Sequence, residues 1–386
     1  MKGEGKMIYF DNSATTYPKP DGVRKAVYDA VLSYGGNPGR GGHEVSLKAA
    51  EMVYRVRKKA SDFFGAKVEN TVFTVNCTHA LNMAIKGVVG VGDHVIFSSL
   101  EHNSVSRPIY ALTKSRGVKF SVAEIDADDN ITIENFKKLI RADTKVIVCT
   151  VASNVTGQIV PYKKIAELCR QYGLCYIADA AQASGIIDIK LSDGFNFICT
   201  AGHKGLYGPT GTGLLVTDGT YPLATIIEGG NGATSSELEQ TAFLPERLES
   251  GTLNTVGIMG LGAGISFVES KGVTHIYNGE TKLCEIFIRE IEKIDGIRIF
   301  RNENASYVPI VSFNFENTDS GDVTEYLNEN GFALRGGLQC AAVTHHFLGT
   351  VKTGAVRFSP SAFNTEKQTL LLANTLKKFR KVYKST

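Results

Sequence analysis

Apolar strand-like runs separated by helical patterns predict an α/β protein: a large domain with a mostly parallel seven-stranded sheet, followed by a smaller α+β domain. Three observations carry this prediction. Seven short runs, at 71–75, 94–99, 118–124, 145–151, 175–180, 195–200 and 211–217, are largely apolar instead of alternating, as strands buried on both faces are. Helical spacing of apolar residues recurs between many of them, which puts helices over the sheet. After about residue 254 the alternation stops and a different pattern begins.

In chain order, 43–64 reads as a helix, 71–75 as a strand and 78–86 as a helix. The strands at 94–99, 118–124, 145–151 and 175–180 are separated by helix-like 104–116, 132–140 and 163–172. Beyond 254 come helices at 255–270 and 281–294, then strands at 297–300 and 309–315. A helix at 322–330, strands at 332–335 and 354–359, and a closing helix from 366 complete the chain. The expected division is a large domain at 17–254 and a small α+β domain made of 1–16 and 255–386.

The composition is that of an ordinary globular protein, with 43% hydrophobic and 21% charged residues in 386. A net charge of only +3, spread along the chain, argues against a nucleic-acid surface or a basic membrane anchor. The N-terminus lacks the apolar core of a signal peptide and no run of about 18 apolar residues occurs, so a cytoplasmic protein is expected. Seven scattered cysteines without a CxxC pair indicate neither a disulfide framework nor a zinc site, and no metal is expected. Five read as buried core, whereas Cys77 and Cys340 fall in polar or glycine-rich turns.

Ligands of open α/β sheets bind beyond the carboxyl ends of the strands, so the residues there are the candidates. They are NCTHA, LEHNS, ASNVTG, DAAQ and AGHKG, and each carries polar groups for a common crevice. Lys204 lies between two strand-like runs among Gly202, Gly205, Gly208 and Gly213, which let backbone approach a bound molecule. Withdrawn from water, its amine has a lowered pKa and attacks carbonyls; a solvated turn lysine is the alternative. Asn76, Cys77 and Thr78 precede a helix and form either a phosphate cradle or a plain N-cap. Neither G-x-G-x-x-G nor G-x-x-x-x-G-K-[ST] is present, so a phosphorylated cofactor other than a dinucleotide or ATP is favoured.

Asp179 ends a strand of buried character and needs a partner there. A cationic ring nitrogen would be one, across a ring also reached by Lys204. Pyridoxal 5'-phosphate supplies the aldehyde, the ring nitrogen and the phosphate together. His102 could stack on such a ring or be a surface loop histidine. Arg335 and Arg357 are suited to a substrate carboxylate, or equally to structural ion pairs. Cys340, after Arg335-Gly336-Gly337, has a thiol that is reactive in an exposed turn or inert if packed.

Taken together, these motifs resemble the class V aminotransferase family of pyridoxal phosphate enzymes, and within it the cysteine desulfurases of the NifS/SufS kind. The resemblance rests on YFDNSATTYPKP, EHNS, SNVTGQ, ADAAQ, GHKGLYGPTGTG, ESGTLNT, RGGLQCA and VRFSPSAFNT, which occur in this order nearly end to end. It implies fold type I, as in aspartate aminotransferase. It makes Lys204 the Schiff-base lysine, Asp179 the partner of the pyridine nitrogen and His102 the stacking ring, with Gln182 and Asn154 near the ring oxygen. Thr78 and His203 are similar to phosphate ligands, beside Cys77. Thr252 resembles a residue that reaches the phosphate of a neighbouring subunit, which implies a homodimer with active sites at the interface. Arg357 matches the arginine for the substrate carboxylate, and Cys340 the nucleophile that takes sulfur from L-cysteine.

The implied activity converts L-cysteine to L-alanine, leaves a persulfide on Cys340 and serves a protein sulfur acceptor, with iron–sulfur cluster assembly as a destination. The alternatives are a selenocysteine or cysteine-sulfinate lyase, a transamination or epimerisation on the same scaffold, and a catalytically silent binding protein. Two departures from the pattern stand out. Leu338 and Gln339 replace the two histidines usual before the nucleophile, and Gly205 is extra after the lysine. A short, fairly fixed Cys340 loop is expected, since the long insertion of the NifS/IscS-like group is absent.

Overall fold

A computed structural model describes residues 7–39, 41–230, 232 and 236–383. In chain order, β1 (Ile8–Tyr9), α1 (Asp21–Ser33) and α2 (Glu44–Phe64) lead into β2 (Thr71–Thr74) and α3 (Cys77–Val88). Then come β3 (His94–Ser98), α4 (Asn103–Arg116), β4 (Lys119–Ala123), α5 (Asp129–Leu139), β5 (Thr144–Thr150), α6 (Tyr162–Tyr172) and β6 (Cys175–Asp179). They are followed by β7 (Phe197–Ala201), β8 (Gly213–Thr217), α7 (Thr255–Lys271) and α8 (Val273–Ile291). The chain closes with β9 (Ile297–Ile299), β10 (Val311–Phe315), α9 (Ser320–Glu329), β11 (Phe332–Ala333), α10 (Ala342–Leu348), β12 (Val356–Phe358) and α11 (Glu366–Tyr383).

All seven expected strands of the large domain form one sheet in the order β2-β8-β7-β6-β5-β3-β4. Its strands run parallel except β8, which pairs antiparallel with both β7 and β2. The unbroken apolar runs have a simple cause: successive residues of one strand enter different cores. In β5, Val146 and Val148 face α3 and α4, while Ile147 and Cys149 face the core built with α2, α6 and α7. β6 repeats this with Cys175 and Ile177 on one side and Tyr176 and Ala178 on the other. Each such fully buried aliphatic side chain contributes roughly 1.5–3 kcal/mol of transfer free energy.

A third core joins Phe287 and Ile291 of α8, Phe313 of β10, Leu327 of α9, Phe358 of β12 and Leu376 of α11. The three-stranded antiparallel sheet β12-β10-β9 forms its floor, and Phe10 from the N-terminal segment inserts into it. Helix α7 follows residue 254 in the chain, yet its Ile258, Leu261, Ile265 and Val268 belong to the core of the large sheet. Four features lie outside the sequence expectation: β1, α1, the seven-residue α10, and an α8 that begins at Val273 instead of 281. Among the described residues, no helix is long and apolar enough to cross a membrane.

Candidate active site

The carboxyl ends of the parallel strands open on a cavity of about 260 Å³. Residues after β2, β3, β5, β6 and β7 all line it, and Arg357 of β12 closes it together with Arg335 and Gln339 from the segment between β11 and α10. A cavity of about 520 Å³ lies elsewhere, around Arg57 and Glu249. The smaller one is lined by Lys204, Asp179, His102, Arg335 and Arg357 together, so it is the candidate site.

Lys204 sits in the connection from β7 to β8. Burial lowers its pKa, against the attraction of Asp179, and the nearby Arg357 and Arg335 lower it further. The turn that carries it needs glycine: a Cβ on Gly205 would lie 2.4 Å from the Ser184 carbonyl oxygen. The residue that looked extra in the sequence therefore lets this turn pack on the loop after β6. The peptide just before Lys204 is pinned from the N-terminal segment, where Thr16 N–H (3.0 Å) and Lys19 Nζ (2.9 Å) both donate to the His203 carbonyl. Lys19 itself is pushed down to about 8 by burial.

Asp179, the last residue of β6, is buried. Its Oδ1 accepts from Ala181 N–H (2.9 Å) and from the Cys77 thiol (3.5 Å). Cys77 is thus not a turn residue but the first of α3, buried, with a thiol that burial and the Asp179 charge push up. Asn76 caps α3 by accepting from His79 N–H (2.8 Å). Beside it, Thr78 Oγ1 lies 2.7 Å from Ser104 Oγ, which lies 2.7 Å from His102 Nδ1.

His102 caps α4 through Nδ1, which also accepts from Ser104 N–H at 3.0 Å. An accepting Nδ1 places the ring hydrogen on Nε2. Burial brings the pKa of His102 down to about 4, against the Asp179 charge, so the ring is neutral at pH 7. His203 is likewise pushed down to about 4, by burial and then by Lys204 and Lys19. Gln182 Nε2 donates to the Ser13 carbonyl (3.1 Å).

Arg357 is fully buried on β12, and burial lowers its pKa in spite of its ion pair with Asp11 (2.8 Å). Its Nη1 donates to the Asn154 carbonyl (2.9 Å), and its backbone bridges to Arg335. Arg335 donates through Nη2 to the Cys340 sulfur at 3.4 Å. Cys340 is exposed, and it and Gln339 have φ of 56° and 40°, left-handed values that cost non-glycine residues on the order of 1–2 kcal/mol. The Cys340 carbonyl accepts from Asn103 N–H (2.7 Å), so the turn docks directly on the start of α4 beside His102.

Most of the sequence-predicted residues thus meet at one place: Lys204, Asp179, Gln182, Asn154, His102, Thr78, Cys77, His203, Arg335 and Arg357 line the cavity. Cys340 adjoins it through Arg335 and Gln339. Thr252 is not brought there; it lines the larger cavity, where its hydroxyl accepts from Asn37 Nδ2 (3.3 Å). The strand-end reading did not single out Ser104 and Gln339, which line the cavity, or Asp11 and Lys19, which bond to Arg357 and to the His203 carbonyl behind it. Their signals were present, since Ser104 lies two residues after His102 and Asp11 and Lys19 lie in the YFDNSATTYPKP motif.

Three buried polar atoms have no hydrogen-bond partner among the described residues and belong to cavity residues: Asn154 Oδ1, His203 Nδ1 and Arg357 Nε. Unpaired buried polar atoms are costly unless a ligand satisfies them. With an amine of lowered pKa, a buried carboxylate and the N-terminus of α3, they fit pyridoxal 5'-phosphate carrying an amino acid. Among the described residues, no group of three or more His, Cys, Asp or Glu side chains is placed to hold a metal ion.

Comparison with known proteins shows which family the chain is similar to. The family model described as aminotransferase class-V matches residues 8–372. A probable cysteine desulfurase of Methanothermobacter thermautotrophicus is 31% identical over 96% of this chain and 94% of its own length. One from Pyrococcus abyssi is 30% identical over 99% and 96%, respectively. The solved apo structure of a cysteine desulfurase from Thermococcus onnurineus superposes with a TM-score of 0.90 at 28% identity, covering 97% of this chain and 95% of that one. The chain belongs to the class-V aminotransferase family, whose enzymes work with pyridoxal 5'-phosphate, and the relatives it matches there are cysteine desulfurases.

Proposed function

We propose that this protein is a pyridoxal phosphate-dependent cysteine desulfurase that converts L-cysteine to L-alanine and keeps the sulfur as a persulfide on Cys340. The observation that carries this reading is one cavity edged by Lys204, Asp179 and Arg357, with an exposed thiol held beside it by Arg335. The cofactor, when bound, supplies an aldehyde for an amine and a ring that accepts electrons from an attached amino acid. Asp179 would hold the ring nitrogen and His102 would stack on the ring. The α3 N-terminus, Thr78 and His203 hold the phosphate, while Gln182 and Asn154 contact the ring oxygen.

Arg357, with Arg335 nearby, receives the substrate carboxylate. The Lys204 amine would take the Cα proton and return one to the carbon skeleton. Cys340 attacks the substrate sulfur as the carbon–sulfur bond breaks. One S–S bond forms, the bonding pair stays with Cβ, which then takes up a proton, and alanine leaves. No outside oxidant or reductant is needed.

The assembly we propose is a homodimer in which Thr252 of each chain serves the phosphate of the other. We also assign the enzyme to the cytoplasm, where an exposed thiol stays reduced, and expect a protein to accept the persulfide sulfur. The test is product analysis after reconstitution with pyridoxal 5'-phosphate. L-cysteine should yield alanine and one added sulfur on Cys340 by mass spectrometry. No alanine, or an undiminished yield from Cys340→Ala, overturns the reading; turnover of selenocysteine alone would point to a lyase.

A further inference from the structure

Gln339 is the second of the two residues, Leu338 and Gln339, that stand where the family it resembles usually has histidines, and it is not a surface residue. It is 3% exposed, although Leu338 and Cys340 on either side are exposed. Both ends of its side chain are bonded. Nε2 donates to the Ala355 carbonyl at 2.5 Å, next to β12, and Oε1 lies 2.9 Å from His345 Nε2. His345 is fully buried on α10, and its Nδ1 lies 2.7 Å from Thr350 Oγ1.

The protons of this chain are determined by chemistry. With its NH₂ group on Ala355, the Gln339 amide offers its oxygen to His345, so Nε2 of the imidazole carries the hydrogen. Nδ1 then accepts from the Thr350 hydroxyl. That is a neutral histidine, as burial dictates by pushing its pKa down to about 4. The main chain of Gln339 is bonded as well, because its carbonyl accepts from Asn154 Nδ2 (2.8 Å) on the cavity wall. One residue therefore ties together β12 with Arg357, α10, the Asn154 loop and the left-handed backbone that presents Cys340.

We propose that Gln339, held by His345 and Thr350, is a positioning residue for the Cys340 thiol, keeping it in register with the substrate sulfur above Lys204. Gln339 does not touch the thiol. It acts by maintaining two consecutive left-handed residues, which an unclamped turn would relax. This deepens the proposed desulfurase reading and rests on it.

The experiment compares Gln339→Ala, His345→Leu and His345→Gln with the wild-type holoenzyme. A glutamine at 345 keeps one donor and one acceptor, so it should restore most of what leucine loses. Gln339→Ala and His345→Leu should lower kcat for alanine release about tenfold or more, with KM for L-cysteine and the visible cofactor band nearly unchanged. Without cofactor, the rate of Cys340 alkylation by iodoacetamide, read by mass spectrometry, should shift in both variants and return toward wild type in His345→Gln. Unchanged kcat and alkylation rate in both variants overturn the proposal. So does an equal loss in His345→Leu and His345→Gln, or loss of the cofactor band, each of which marks a general packing defect. Failure of the desulfurase reading is distinguishable, since Cys340→Ala would then turn over L-cysteine at the wild-type rate.

Discussion

The Lys204 wall and the Cys340 turn adjoin the same cavity but are built on opposite plans. The wall is made of strand ends from a sheet buried on both faces, and its reactive groups are withdrawn from water: Lys204 is lowered, and His102 and His203 are neutral. The turn holds an exposed thiol on left-handed backbone, kept in place by hydrogen bonds to Asn103, Asn154, Ala355 and His345. Burial tunes the first region; geometry constrains the second. Under the proposed function, cofactor chemistry falls to the wall and the fate of sulfur to the turn, so variants on each side should fail differently.

The largest effect is expected from Lys204→Ala. In the proposed mechanism it removes both the amine for the aldehyde and the proton carrier, so turnover should fall at least about 10³-fold. The visible band of the reconstituted enzyme should go with it. A coloured and active Lys204→Ala would break the comparison, because the wall would no longer be the seat of the cofactor.

Arg357→Lys tests the seam between the regions. The lysine keeps a charge near Asp11 but loses the planar fork, and the Asn154 carbonyl loses its donor. Its expected signature is a roughly 10- to 100-fold fall in kcat/KM for L-cysteine, carried by KM, with the cofactor band intact. An unchanged KM would assign the guanidinium to structure alone.

How much of this was legible in the sequence follows from the range of each contact. Strand ends of a parallel sheet converge by topology, so Asp179, Lys204 and the α3 N-terminus could be placed from apolar runs alone. Arg357–Asp11 and Arg57–Glu249 pair across 346 and 192 residues, and no local pattern marks them. Helix α1 escaped because its buried residues are only Val23, Ala26 and Ala30, whereas its larger Tyr28, Val31 and Leu32 are exposed. The early turns of α8 escaped because Glu280 occupies a buried position, bonded to Tyr207 Oη at 2.9 Å. A carboxyl there interrupts the apolar periodicity. The Gln339–His345 contact depends on a short helix, α10, too brief to show a period.

Ser104→Ala is a milder probe of the wall. Ser104 Oγ lies between Thr78 and His102, and its loss frees both side chains without removing either. One net hydrogen bond is worth about 1 kcal/mol, or roughly fivefold in an equilibrium. Cofactor affinity should fall by about that factor, with persulfide formation on a saturated enzyme hardly altered. A larger effect on sulfur transfer than on cofactor binding would count against the division between wall and turn.

The smallest expected effect separates the regions by pH and stability. His102 and His203 on the wall and His345 behind the turn are each pushed down to about 4 by burial, whereas an unfolded histidine titrates near about 6.5. Between these values the unfolded chain binds protons that the folded one does not. The contribution of each histidine is therefore complete above about pH 6.5 and is lost as pH falls toward 4. Buried Glu101 and Glu280, pushed up to about 8, act in the opposite sense by favouring the folded state as pH falls, so the net curve is not diagnostic. The difference between variant and wild type is. His345→Gln, which keeps the hydrogen bonds but cannot titrate, should gain on wild type as pH falls from 7 to 5, read as a converging Tm of the apoprotein. If the Tm gap stays constant over that range, His345 is not held neutral by its buried bonds to Gln339 and Thr350, and the support assigned to the turn loses its electrostatic basis.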